Sequence, residues 1–360
     1  MQAVRLTEWG REPALAEVER PVPRGTEVLV RVEAAGLCQS DVHVVDAAEG
    51  ALPYRPPFTL GHEVAGRVAA LGPDADTDTD TGTGTGTGTG RTAPGERAVV
   101  YGPWGCGNCT RCAAGRDNYC DHRGDLGWHG AGLGRDGGMA EYLLVPSARH
   151  LVPIGDLPAT QAAPLSDAGL TSYHALAGVR HALGERSTAL VIGVGGLGHL
   201  AVQMVRATTP SRVLAVDIRE EAVDLALRSG AHLGVPMGAD TARVLRAETG
   251  GVGVDAVLDF VGNEATFALA VQLLRPGGEL AVVGSGGGRL TVRKPGFLPA
   301  GFRLSLPFWG TRPELAEVIA LARAGSLHVE TEQFPLSAAP EAFGRLRRGR
   351  VRGRAVLLPD

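Results

Sequence analysis

The apolar run Thr188-Ala-Leu-Val-Ile192 passes into Gly193-Val194-Gly195-Gly196-Leu197-Gly198 and then into HLAVQMVRA. In a chain with 52 glycines, G-x-G-x-x-G by itself is a weak signal. Here it stands between a strand and a helix, and Asp217 closes the next apolar run about 20 residues on. Glycines at this turn let the backbone approach a pyrophosphate at the helix N-terminus, whose N–H groups and dipole favour anions. Asp217 can accept both hydroxyls of an adenosine ribose and repels a 2′-phosphate, which favours NAD over NADP. Arg219, two residues on, pulls the other way.

The surrounding pattern sets the organisation. After Ala159, helical stretches alternate with the apolar runs RVLAVD, AVLDFVG and ELAVVGS, the signature of βαβ units and a parallel sheet. The first ~150 residues instead carry short β-rich runs such as VLVRVEA and RAVVYG, broken by Gly and Pro, as in an irregular domain built on turns. From Pro307 an amphipathic helix and a closing AVLLP strand return to that first domain. The expected architecture is α/β: a Rossmann-type doubly wound parallel sheet over 161–305, and a mostly β domain over 1–160 and 306–360. The strand near Ala281–Gly284 is the expected edge for pairing between copies.

Charge and composition exclude several classes. A net charge of −4 is too mild for a nucleic-acid or membrane-surface protein. No apolar run approaches the ~20 residues of a membrane span. The opening MQAVRLTEWG carries Arg5 and Glu8 and no apolar leader core, so a cytoplasmic protein is expected. Residues 76–90, DTDTDTGTGTGTGTG, lack apolar side chains and are expected to be a solvent-exposed, mobile insertion.

Cysteine usage points to metal. Cys106, Cys109, Cys112 and Cys120 follow C-x2-C-x2-C-x7-C within a lobe of about 102–122, enough for one loop to enclose a tetrahedral zinc. Adjacent C-x-x-C pairs mostly cannot meet in unstrained disulfide geometry, and no Cys-Pro follows as in ferredoxin-type ligation. The remaining cysteine, Cys38, lies upstream of Gly61-His62-Glu63. A thiolate and an imidazole with an open position are what a reactive zinc needs. A third ligand is then required, and spacing leaves Glu63, Asp41, Asp167 and His174 all open.

Taken together, GLCQSDVH (36–43), GHEVAGRV (61–68), the four-cysteine lobe, DAGLTSYHAL (167–176), GVGGLG (193–198) and GRAVL (353–357) resemble the zinc-dependent medium-chain alcohol dehydrogenases. YGPWGCGNC, ARHLVPIGDL, APLSDAGLTSYHA and the WGTR at 309–312 are most similar to the bacterial NAD-dependent secondary alcohol dehydrogenases. The resemblance runs end to end apart from the Thr-Gly segment. It implies that the β domain is GroES-like and catalytic, with two zinc ions per chain.

By that resemblance Cys38, His62 and Asp167 are the catalytic zinc ligands, and the four-cysteine zinc is structural. Glu63 stands behind the metal, and Asp41 orients the zinc-bound histidine. Ser40 touches the alcohol proton and His43 passes it outward. Thr171 and Leu197 pack behind the nicotinamide, and Arg354 contacts the diphosphate. His174 has no zinc role. Tyr54, Trp104 and Trp309 are candidates for an alcohol pocket. The implied activity is interconversion of alcohols, secondary ones foremost, with ketones or aldehydes by hydride transfer to NAD, in a homodimer or homotetramer. A polyol or threonine dehydrogenase of the same superfamily is the alternative enzyme. A non-catalytic nucleotide-binding paralogue should have lost zinc ligands, and none of the three is lost.

Overall fold

Two hydrophobic patterns, one alternating with helices and one broken by turns, fold into two units in the computed structural model. It describes residues 1–75, 78–79, 90–294 and 296–359. One unit comprises Met1–Leu170, Trp309–Gly325 and Val329–Asp360; the other comprises Thr171–Phe308 and Ser326–His328. Most of the expected Thr-Gly insertion, 76–77 and 80–89, lies outside the described residues. Asp78–Thr79 and Gly90–Arg91 at its ends pair antiparallel, where no strand is expected from the sequence.

The second unit is a six-stranded parallel sheet. Its spatial order is Leu233–Pro236, Arg212–Asp217, Thr188–Ile192, Val254–Asp259, Leu274–Val282 and Arg303–Ser305. In chain order that is third, second, first, fourth, fifth, sixth, the doubly wound pattern with its switch point between the first and fourth strands. Thr188–Ile192 is buried at every position, as befits a central strand covered on both faces. The helix Gly198–Thr208 buries Leu200, Ala201, Val202, Met204 and Val205, and a fully buried side chain of Leu, Val or Met size contributes about 1.5–3 kcal/mol. The edge near Ala281–Gly284 expected from the sequence is not an edge. Leu274–Val282 is flanked by Val254–Asp259 and Arg303–Ser305, and the exposed strand Arg303–Ser305 ends the sheet.

The first unit is built on a seven-stranded sheet centred on the long strand Val28–Leu37. Glu63–Leu71 and Arg354–Leu358 both pair with it antiparallel, with Gly36 opposite Glu63 and Ala355 opposite Leu37. Three strand ends therefore meet at one place: the end of the central strand just before Cys38, the start of the second at Glu63, and the start of the third at Arg354. No helix among the described residues is long and apolar enough to cross a membrane.

Candidate functional site

At the meeting of those strand ends the chain brings Cys38, His62 and Asp167 together. Cys38 leaves the central strand and caps the helix Gln39–Val45, while His62 immediately precedes its own strand. Asp167 sits in a π-helical turn, Leu165–Gly169, set between the helices Ala159–Pro164 and Leu170–Val179. Such turns re-aim one side chain without ending the helix. The Cys38 Sγ lies 3.4 Å from Asp167 Oδ2, and the His62 Nε2 lies 3.5 Å from the same oxygen. A tetrahedral zinc with bonds of about 2.0–2.3 Å separates its S, N and O ligand atoms by roughly 3.3–3.5 Å. The donor set and its spacing fit that ion.

Asp41 serves twice. As the third residue of its helix, its Oδ2 accepts the Cys38 backbone N–H at 2.8 Å, and its Oδ1 lies 3.1 Å from His62 Nδ1. A carboxylate on Nδ1 leaves Nε2 free to ligate. Burial, the largest influence on His62, lowers its pKa. The combined opposing pull of Asp41, Asp167 and Cys38 nevertheless holds it well above the ordinary imidazole value. Negative groups gathered round one buried ring make a site suited to a cation. His174, one of the open choices, is not part of this cluster.

Behind the triad, Glu63 is fully buried and Arg354 is 4% exposed. The Arg354 Nε donates to both Glu63 oxygens, at 3.1 and 2.9 Å, its Nη2 donates to Glu63 Oε1, and Nη2 lies 3.2 Å from Asp167 Oδ2. Glu63 also accepts the Ala168 N–H at 3.1 Å. Burial lifts the Glu63 pKa to about 7 against the opposing pull of Arg354. Arg354 is directed at these two carboxylates, because the strand it opens lies beside Leu37. Ser40 is exposed with its Oγ 3.6 Å from Cys38 Sγ, and His43 is exposed three residues further along the same helix. Tyr54 is buried, with its ring edge-on to Phe58 and His129. Trp104 packs on His150, and its indole donates to the Tyr101 carbonyl.

The four-cysteine lobe holds free thiols whose sulfur atoms lie within 4.8 Å of one another. The sulfurs of Cys106 and Cys112 are 4.0 Å apart, against about 3.8 Å across a tetrahedral zinc–thiolate site. Backbone N–H groups of Cys109, Cys112 and Cys106 donate to Cys106, Cys109 and Cys120 sulfurs, each at 3.4 Å. The N–H of Cys112, with that of Asp121, lowers the Cys109 pKa to about 6, whereas burial raises Cys112 and Cys120. Four sulfurs so close ionise together only around a cation, which is what zinc supplies.

In the second unit, Gly193 has φ of +86°, and a Cβ on Gly198 would stand 1.9 Å from the Gly193 carbonyl oxygen. A Cβ on Gly195 would meet nothing within 4 Å, so the middle of the turn opens onto free space where a pyrophosphate can approach. Gly196 lies in the same turn, before the helix. Asp217 ends its strand with Oδ2 accepting the Val194 N–H at 2.7 Å and Oδ1 the Arg219 N–H at 3.0 Å. The Arg219 Nε is 3.5 Å from Asp217 Oδ1. Thr171 is buried, and its neighbour Ser172 donates to the Leu197 carbonyl at 3.1 Å, which ties those two expected positions together.

Residues 24–156 match the alcohol dehydrogenase GroES-like domain, and residues 196–324 match the zinc-binding dehydrogenase domain. An NAD-dependent alcohol dehydrogenase of Sulfurisphaera tokodaii is 34% identical over the whole of both chains. The chain belongs to the zinc-dependent medium-chain alcohol dehydrogenases. A solved alcohol dehydrogenase of this family from Aeropyrum pernix is 32% identical with a TM-score of 0.87, covering 100% of each chain. A D-arabinose 1-dehydrogenase (NADP(+)) of Saccharolobus solfataricus is 30% identical over 99% of this chain and 97% of its own.

Two features of this family member escape sequence reasoning. One is the Arg354–Glu63 pair, whose partners are 291 residues apart. The other is Asp259, fully buried at the end of its strand, which accepts from Val261 N–H at 2.9 Å, Gly262 N–H at 3.0 Å and Thr266 hydroxyl at 2.7 Å. An aspartate closing an apolar run, as Asp217 also does, is the only signal that marks it.

Proposed function

We propose that this chain is a zinc- and NAD-dependent alcohol dehydrogenase acting on secondary alcohols and their ketones. The observation that carries the reading is the convergence of Cys38, His62 and Asp167 at ligand spacing, with Asp41 on the far nitrogen of His62. When bound, zinc supplies Lewis acidity that makes the alcohol proton easier to remove, and NAD accepts the hydride. The chain's own residues do the rest. Cys38 and Asp167 together bring two negative charges, matching the charge of the ion. Asp41 fixes the His62 tautomer. Ser40 relays the alcohol proton, its Oγ accepting that proton as its own hydroxyl proton passes on by way of the cofactor ribose, and His43, exposed on the same helix, delivers a proton to solvent. Asp217 holds the adenosine ribose, and its charge with Arg219 drawn against it supports NAD rather than NADP.

Support for a simple alcohol comes from the buried aromatic surroundings, with the Trp309 ring 5.6 Å from that of His62. The arabinose-oxidising relative favours the second reading, a sugar or polyol dehydrogenase. The exposed strand Arg303–Ser305 supports a homodimer paired along that edge, and we place the protein in the cytoplasm. The deciding experiment measures zinc per chain and NADH formation with simple secondary alcohols against polyols and aldoses. Two zinc ions and a preference for the simple alcohols are expected. One zinc in a fully active chain, or a preference for aldoses, would overturn the reading.

A further inference from the structure

Among the described residues, Trp309 is the only non-glycine with positive φ, at +53°. That region is costly for a bulky L side chain and persists only where the surroundings over-determine it. The surroundings here are the metal triad. The Trp309 indole N–H donates to the Ser166 carbonyl at 2.9 Å, one residue before Asp167. Its ring stands at 83° to the His62 ring, 5.6 Å between centroids. Gly102 makes room for it, since a Cβ there would lie 2.1 Å from Trp309 Cζ2. The next residues pin the backbone from outside. The Tyr101 hydroxyl donates to the Gly310 carbonyl at 2.7 Å, and Thr311 caps the following helix with Glu314.

Resting on the zinc reading above, we propose that Trp309 is a positioning residue for the triad: its indole N–H holds the turn that aims Asp167, and its ring sets the plane of His62. His62 is thus held on two sides, by Asp41 at Nδ1 and by the indole across its ring. The π-helical turn around Asp167 has irregular backbone bonding, so a side-chain donor to Ser166 removes freedom that the helix itself does not. At 5% exposure the indole is buried, so its contacts with the turn and with the His62 ring are fixed by packing. The strained backbone follows from putting the ring between two ligands that lie in different segments of the chain.

The test uses the full chain, with the four-cysteine zinc as internal reference. Trp309→Phe keeps a ring and loses the N–H; Trp309→Leu loses both. Zinc retention under graded chelator and the visible spectrum of the cobalt(II)-loaded protein are read for each. Losing an outer partner of a metal ligand weakens metal binding by about 10–100-fold. The expected result is about tenfold easier loss of the triad metal in the phenylalanine variant and about a hundredfold in the leucine variant, with the four-cysteine zinc retained and the cobalt bands displaced. Gly102→Ala, which drives a methyl into the indole while leaving residue 309 a tryptophan, should reproduce the loss and decides the matter if the leucine variant does not accumulate. Lower thermal stability with unchanged triad affinity and unchanged cobalt bands would overturn the assignment and leave Trp309 a packing residue. A wild-type chain holding one zinc would refute the zinc reading itself, whereas a two-zinc wild type indifferent to these substitutions refutes the role of Trp309 alone.

Discussion

Replacing Glu63 with glutamine should be among the most damaging shape-conserving changes in the molecule. The amide still fills the space, and its carbonyl oxygen can still accept the Ala168 N–H, so packing and that hydrogen bond survive. Above about pH 7, where Glu63 is ionised, what is lost is the charge opposite Arg354, a guanidinium buried to 4% exposure whose Nε and Nη2 both donate to Glu63. Removing one partner of a buried ion pair costs about 3–5 kcal/mol, because the other charge stays buried and unpaired. Asp167, 3.2 Å from Nη2, offsets part of that, so the lower end of the range applies. For a folding unit of roughly 150–250 residues each kcal/mol moves Tm by about 2–4 °C, which makes the expected fall about 6–12 °C by calorimetry. Arg354 should also draw Asp167 towards itself, loosening the triad metal while the four-cysteine zinc stays. Adding Arg354→Met to Glu63→Gln removes the stranded charge and should recover most of the Tm. A single variant within about 2 °C of wild type, with both metals retained, would refute the reasoning.

Cys109→Ser removes one of four thiolates and should release the lobe zinc and lower Tm while the triad metal remains, read by metal analysis and calorimetry. Asp217→Ser should weaken NAD and ease NADP entry, seen as a reversal of the ratio of their kcat/KM values; a wild type already more efficient with NADP would point to Arg219 as a phosphate partner. His129 is held down to about 4 by burial and by Arg123, so below its unfolded value of about 6.5 the unfolded chain binds a proton that the folded one refuses. Its contribution to stability is therefore complete above pH ~6.5 and lost as pH falls towards about 4, and His129→Leu should flatten denaturant stability across that window. Ser40→Ala should cut alcohol oxidation sharply and His43→Ala mildly, the latter losing a limb of the pH–rate profile near neutrality; fast oxidation and an unchanged profile in both would send the proton by another route.

The parallel-sheet unit and the four-cysteine lobe are legible in the sequence because their information is local. A strand, a glycine turn and a helix follow one another from Thr188 to Thr208, and the hydrophobic period changes with them. Four cysteines within one short loop need no distant partner to define a metal cage. The triad is different. Cys38 and Asp167 are 129 residues apart, and spacing alone leaves Glu63, Asp41 and His174 as equal choices for the third ligand. Resemblance points to Asp167, but its aim depends on a π-helical turn that no hydrophobic period encodes. Arg354 shows the limit most clearly. Its motif is plain in the sequence, yet its partners are Glu63 and Asp167, because the register of two strands against Val28–Leu37 puts those strand ends side by side. Local order follows from spacing along the chain. Which buried charge meets which is decided by strand register, and that exists only once the sheet has formed.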